Sequence, residues 1–309
     1  MHTTHTMLIT GATGTIRRPL VDLLVGEGAT VRAVTRNPLA AGLPAHVEVV
    51  AGDPGRPATI APFLGRHRPV PAPARRRGRR RRAAGACPGT GVQRVVALSA
   101  VNVDDDLAAQ PSRYNGDKTR EVEDAAVGSG LEWVSLRASS FADNALRAWG
   151  AQIRAGDVVR GPYAAFAEAP IHERDLAEVG ARALLTAALV GRKLELTGPQ
   201  SLTHAEMVAT IGEVLGRPLH YQEIPPETAK RNMVQQGFPE PFVEALMARY
   251  ARGVGQAAPL TGEVERILGR PARTFAEWVA DHTAVFQNGG PGARRMTGRV
   301  EPAAELPTR

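Results

Sequence analysis

Apolar and polar positions alternate between two periods along the first 200 residues. Four apolar or small residues, Met7 to Thr10, read as a short buried strand, and a glycine turn at Gly11 and Gly14 follows. Ile16, Leu20, Leu23 and Leu24 then recur at helical spacing, predicting a helix from about Thr15 to Gly26, with Gly28 beyond its end. Further strands are predicted at Thr30–Thr35, His46–Val50, Val92–Ser99, Leu131–Arg137 and Lys193–Thr197. Between them lie a short helix near 57–64 and longer ones near 112–129, 141–155 and 173–190, the last carrying the stripe Leu176, Val179, Ala183 and Leu184. Strands alternating with helices predict an α/β fold, a Rossmann-type doubly wound parallel sheet. Beyond residue 200 the pattern becomes mostly helical. It has a capping-box start at Thr203 with Glu206, a strand near 219–224 and two or three helices to about Phe286. The expected division is 1–200 for the dinucleotide-binding domain, 201–286 for a small C-terminal α/β substrate-binding part, and 287–309 for a Gly-, Pro- and Arg-rich disordered tail.

One stretch breaks the alternation. Residues 66–90 are rich in Arg and Pro where a fourth strand and helix belong, and the proline spacing forbids a central strand at 69–73. Seven arginines lie between 75 and 82, and without them the net charge of +7 balances to neutrality. The basic excess is therefore local, and with no aromatics interleaved a nucleic-acid partner is not expected. A shifted reading frame in GC-rich coding sequence would leave this composition, a hypothesis that resequencing tests. A plain solvated loop is the other reading.

Hydrophobic residues make up 43% of the 309, enough for a sizeable core. A single cysteine, Cys87, excludes an internal disulfide framework and fits a reducing cytoplasm. No run of 18 apolar residues suggests a membrane span, and the first six residues lack the basic region and apolar core of a signal peptide. No metal-ligand spacing is found among His, Cys, Asp and Glu, and no nucleophile elbow.

The candidate chemistry starts at the glycine turn. Glycine at 11 and 14 lets backbone approach a diphosphate, and the following helix aims its positive end at that anion. Strand two ends in Thr35-Arg36-Asn37-Pro38. An acid there would hold a ribose 2′-hydroxyl; Arg36 suits a 2′-phosphate, which favours NADP(H). Asp53, after Gly52 at the end of strand three, sits where an adenine is held, or simply caps a turn.

These pieces resemble the NmrA-like group of atypical short-chain dehydrogenase/reductases. The resemblance rests on Thr10-Gly11-Ala12-Thr13-Gly14, Thr35-Arg36-Asn37-Pro38, Gly52-Asp53 and Val95-Val96-Ala97-Leu98-Ser99. It continues through Lys118-Thr119-Arg120-Glu121, Gly130 to Arg137, Phe141 with Asn144, Asp175-Leu176-Ala177 and Leu196-Thr197-Gly198-Pro199. It implies a bacterial-type NADPH-dependent reductase with cofactor contacts at Gly11, Thr13, Gly14, Thr15, Ile16, Arg36, Asp53, Ser99 and Lys118. The chain departs from the pattern at Arg17, where a third glycine is expected, and at Ala138, where a proline is. Arg17 either pairs with phosphate or obstructs it; weakened but retained binding is the expectation.

Tyr114 and Lys118 have the Tyr-x-x-x-Lys spacing. On one helical face the ammonium would favour phenolate and make Tyr114 a proton donor, with Ser99 on the substrate oxygen. Asn115-Gly116, however, reads as a turn, which would leave Tyr114 ahead of the helix with Asp117 as its cap. His172 before the fourth long helix is a substrate contact or a cap. The leading expectation is hydride transfer from NADPH to a quinone or a conjugated or aromatic carbonyl, a small-molecule substrate. The alternatives are a non-catalytic NADP(H) sensor or an inactive homologue. Oligomeric state stays open, a homodimer being one option.

Overall fold

The computed structural model describes residues 6–12, 14, 16–64 and 91–287. Thr13, Thr15, the anomalous 66–90 segment with Cys87, and the tail from 288 on lie outside the described residues.

The chain runs β1 (Thr6–Thr10), α1 (Arg17–Gly26), β2 (Thr30–Thr35), β3 (Glu48–Ala51), β4 (Arg94–Ala100), α2 (Thr119–Val127), β5 (Glu132–Ala138) and α3 (Asn144–Ala155). It continues through β6 (Val158–Gly161), β7 (Ala167–Glu168), α4 (Glu173–Leu185), β8 (Arg192–Leu196), β9 (Leu202–Thr203), α5 (His204–Leu215) and β10 (His220–Glu223). Five helices end it: α6 (Pro226–Gln235), α7 (Glu240–Gly253), α8 (Glu263–Leu268), α9 (Phe275–Asp281) and α10 (Thr283–Phe286).

The Rossmann-like α/β architecture expected from the alternation is present. Its parallel strands form two groups of three, ordered β1-β2-β3 and β4-β5-β8. No described strand joins them, and the break falls where the 66–90 segment interrupts the sequence pattern. Helix α4 holds the two halves together. Leu20 of α1 and Leu136 of β5 both reach within 3.7 Å of the place a Cβ on Gly180 would occupy, so α4 lies in packing distance of both halves at that point.

Helix α1 shows which forces decide. It has no side-chain cap, no acid in its first turn and arginine at its first two positions. Each such charge costs about 0.3–1 kcal/mol against the helix dipole. Fully burying Val21 and Leu24 is worth about 1.5–3 kcal/mol apiece, so the apolar face wins.

The C-terminal part is not built from residues after 200 alone. Strand β10 pairs in parallel with β6, and β9 antiparallel with β7. Trp149 and Ile153 of α3 share a core with Val208, Ile211, Phe275, Trp278 and Phe286. The capping box read from Thr203 is present: its hydroxyl accepts from the Glu206 amide, and the Glu206 carboxylate accepts from the Thr203 amide at 2.8 Å. Thr203→Ala removes one half of it and is expected to cost about 0.5–2 kcal/mol in urea unfolding, with m unchanged.

Several boundaries differ from expectation. The helix expected at 57–64 is two 3-10 turns, Pro57–Thr59 and Ala61–Phe63. Pro62 removes a helical donor, and Thr59 Oγ1 satisfies backbone at Asp53 and Arg56 instead. Helix α4 stops at Leu185, five residues early, where Thr186 turns extended and bonds back to the Arg182 carbonyl. The helix expected over 112–129 is split. A 3-10 turn covers Pro111–Asn115, Gly116 takes φ +92, and α2 starts only at Thr119.

Candidate functional site in the cleft above the strand ends

The C-terminal ends of β1, β2, β3 and β4 place the expected site residues. Gly11 follows β1 with φ +62, a left-handed conformation that glycine adopts without strain. Its amide donates to the Val34 carbonyl at 3.0 Å, and the Gly14 amide donates to the Gly11 carbonyl at 3.0 Å. This closes the turn against β2 and leads into α1. Ile16 occupies the cap position, half-buried against the β5–α4 core.

Arg17 lies over this turn. A Cβ on Gly11 would stand 2.8 Å from its Nη1, and one on Gly14 would stand 3.7 Å from the same nitrogen. Burial lowers the Arg17 pKa, and the field of Asp117, from the loop that also bears Lys118, partly opposes that shift. Reciprocally, burial raises the Asp117 carboxyl, against the pull of Arg17 and Arg147.

At the next strand end, Arg36 is exposed and has no hydrogen bond or ion pair with a described residue. Beside it, Gly52 donates to the Thr35 carbonyl at 3.0 Å, and a Cβ on it would meet Val34 Cγ1 at 2.7 Å. Asp53 has its Oδ1 bonded to the Gly55 amide at 2.9 Å, the turn-capping reading. Its other oxygen has no donor among the described residues.

Ser99, near the end of β4, is 3% exposed, and its hydroxyl has no partner in good geometry among the described residues. It stands over a buried charge network that the sequence reading missed. Glu123 of α2, 2% exposed, accepts from Arg137 Nη2 at 2.7 Å, Arg137 Nε at 3.0 Å and Ser135 at 2.6 Å, and pairs with Lys193 at 2.8 Å. Although burial works against ionisation, these donors hold the Glu123 carboxyl far below the usual range, and Glu123 raises Arg137 in return. Arg137 also grips Asp104 at 2.6 Å. Gln110 and Arg120 both bond the Val103 and Asp105 carbonyls, which pins the loop after β4. One signal was available: Ser135 and Arg137 are polar at alternate positions of a strand otherwise reading as buried.

Tyr114 and Lys118 do not share a helical face. Tyr114 belongs to the 3-10 turn, is 37% exposed, and donates to the Ala108 carbonyl at 3.3 Å. Lys118 is exposed at the cap of α2, with the left-handed Gly116 between them. Lys118, not Asp117, takes the cap position. Helix α7 packs over the turn that carries Tyr114. His172 proves to be a cap: its Nδ1 accepts from the Arg174 amide at 3.1 Å. Phe141 packs against the β5–α4 core. Tyr163, with φ +51, is the one described non-glycine residue with positive φ; it meets Tyr250 edge-on beside Phe166 and His204. Nothing in the sequence pattern marked that cluster.

No group of three or more His, Cys, Asp or Glu side chains suited to a metal occurs among the described residues. No helix among them is long and apolar enough to cross a membrane. The residues present fit a dinucleotide. The glycine turn is a cradle that a Cβ would fill, cations stand at two strand ends, and a buried hydroxyl waits at a third.

The comparisons with known proteins agree. Residues 11–187 match the model of an NAD(P)H-binding family. The chain is 32% identical over 290 residues to a (4-alkanoyl-5-oxo-2,5-dihydrofuran-3-yl)methyl phosphate reductase of Streptomyces griseus, covering 91% of this chain and 99% of the relative. It is 30% identical over 287 residues to an NAD(P)H azoreductase of Xenophilus azovorans, with the same coverage. In fold it is similar to an NADPH-dependent quinone oxidoreductase of Escherichia coli, with a TM-score of 0.69 and 19% identity over 90% of this chain and all of that one.

Proposed function

The chain belongs to the NAD(P)H-binding family, and from that premise we propose that it is an NADPH-dependent oxidoreductase reducing a quinone or another conjugated or aromatic acceptor. The observation that carries this is the glycine turn at 11–14, closed on β2 with cations at its rim. NADPH, when bound, supplies the hydride. Gly11 and Gly14 admit the diphosphate, Arg36 takes the 2′-phosphate, and Lys118 faces the nicotinamide end, with Ser99 buried beneath it beside Arg137. Asp53 stays beside the adenine end as a turn residue.

The acceptor class follows from what surrounds the proton. Tyr114 spends its hydroxyl on the Ala108 carbonyl and has no lysine stacked on its helical face. A saturated ketone needs a positioned acid for the developing alkoxide. A conjugated acceptor spreads that charge over its ring and needs one less. The names of the two relatives support this: one carries an oxo-dihydrofuran, the other an azo bond. Helix α7, resting on the Tyr114 turn, supplies a wall of the substrate pocket.

Arg36→Ala tests the cofactor assignment. A charge-assisted contact to phosphate is worth about 1.5–3 kcal/mol, so NADPH should bind about ten- to a hundred-fold more weakly while NADH is unchanged. Equal loss for both cofactors would remove Arg36 from the 2′-phosphate site. A non-catalytic NADP(H) sensor is the second reading, favoured by the same engaged Tyr114 hydroxyl. It requires tight NADPH binding with no oxidation on adding a quinone.

A further inference from the structure

We infer that Arg17 is a direct ligand of the cofactor diphosphate, taking over the role that backbone amides fill at an ordinary glycine-turn site. The inference rests on the cofactor reading above. Three observations carry it. First, three positions of this segment offer no amide to an anion: the Gly14 amide is spent on the Gly11 carbonyl and the Arg18 amide on the Gly14 carbonyl, each at 3.0 Å, and Pro19 has no N–H at all. Second, the Arg17 guanidinium is folded back over the turn itself, with Nη1 against the Cβ positions of both Gly11 and Gly14. Third, it rests there without an ion pair to any described carboxylate, at a helix end whose first turn has two arginines and no acid.

A half-buried cation beside the positive end of a helix is unfavourable alone and favourable with an anion between them. A diphosphate supplies that anion. Arg17 can reach it by rotating its long side chain without moving α1, because the helix is held in place by the buried Val21 and Leu24, one and two turns further along. Asp117, whose field reaches Arg17, balances part of the charge when no ligand is bound. The third glycine of the usual pattern is thus replaced by a charge-assisted contact, and cofactor affinity should depend on salt more than an amide-only site would.

The test is fluorescence titration of wild type, Arg17→Gly and Arg17→Lys with NADPH, NADH and adenosine 2′-phosphate, at low and high salt. A thermal melt of each variant checks the fold. The expected result is that Arg17→Gly binds NADPH and NADH about ten-fold or more weakly and loses most of the salt dependence of NADH binding. Arg17→Lys should recover part of the loss. Adenosine 2′-phosphate, which lacks the diphosphate, should bind all three alike. Equal or tighter NADPH binding by Arg17→Gly overturns the inference and makes Arg17 an obstruction. A matching loss for adenosine 2′-phosphate also overturns it, since the effect would then not be local to the diphosphate. If wild type gives no signal with either dinucleotide, the cofactor reading itself fails, which is a separate result from a wild type that binds and a glycine variant that binds equally.

Discussion

Gly11→Val is expected to lower NADPH affinity by at least about a hundred-fold, equivalent to roughly 2.7 kcal/mol, in a protein that still folds. Two causes act together. A β-branched residue at φ +62 carries backbone strain of about 1–3 kcal/mol, and its Cβ would lie 2.8 Å from Arg17 Nη1, inside the cradle. Gly28 separates the causes. It has φ +76 with nothing within 4 Å of its Cβ position, so Gly28→Val carries the strain without the obstruction. Both variants should unfold at lower urea, and only Gly11→Val should lose the cofactor by fluorescence titration. Wild-type NADPH affinity in Gly11→Val would remove the site from the glycine turn.

The second large effect is structural. Arg137→Met leaves the Glu123 carboxylate, 2% exposed, without its two-point partner. Breaking a buried pair on one side costs about 3–5 kcal/mol, a large share of a typical domain's stability. The pH dependence has a definite sign. The folded state holds Glu123 below its ordinary value of 4.5, so its contribution is complete above that value and is lost as pH falls through the folded one. Urea midpoints of wild type and variant should therefore differ most near neutral pH and converge in acid. A difference under about 1 kcal/mol at neutral pH would mean that solvent reaches the network. The Asp104 contact adds a functional readout, because the loop after β4 borders the site.

The sequence pattern carried the fold well where one period ran uninterrupted. The six strands of the two parallel groups, α1's apolar face and the Thr203 cap are decided within a few residues, by local propensity and by which side is buried, whereas the short β6, β7 and β9 were not read. It failed where two local rules competed. At 112–118 the i, i+4 spacing of Tyr114 and Lys118 suggested a shared helical face, but Gly116 in the left-handed region ended the turn first. His172 is the cap of its helix, and Asp53 caps its turn with one oxygen, because polar side chains at element ends bond nearby backbone. The partners in the Glu123–Arg137–Asp104 network were not legible, although the polar alternation of Ser135 and Arg137 hinted at a buried polar face. The network's members are 14 and 33 residues apart, and only tertiary packing brings them together. Arg17 was legible as a departure from a glycine pattern, but not as a guanidinium folded over the turn.

The most direct test of the whole account is NADPH consumption after adding menadione, without oxygen, by wild type and by Gly11→Val side by side. Wild type should oxidise NADPH in step with quinone reduction, and Gly11→Val should do no better than buffer. Equal rates in the two proteins, or none in wild type, would contradict it.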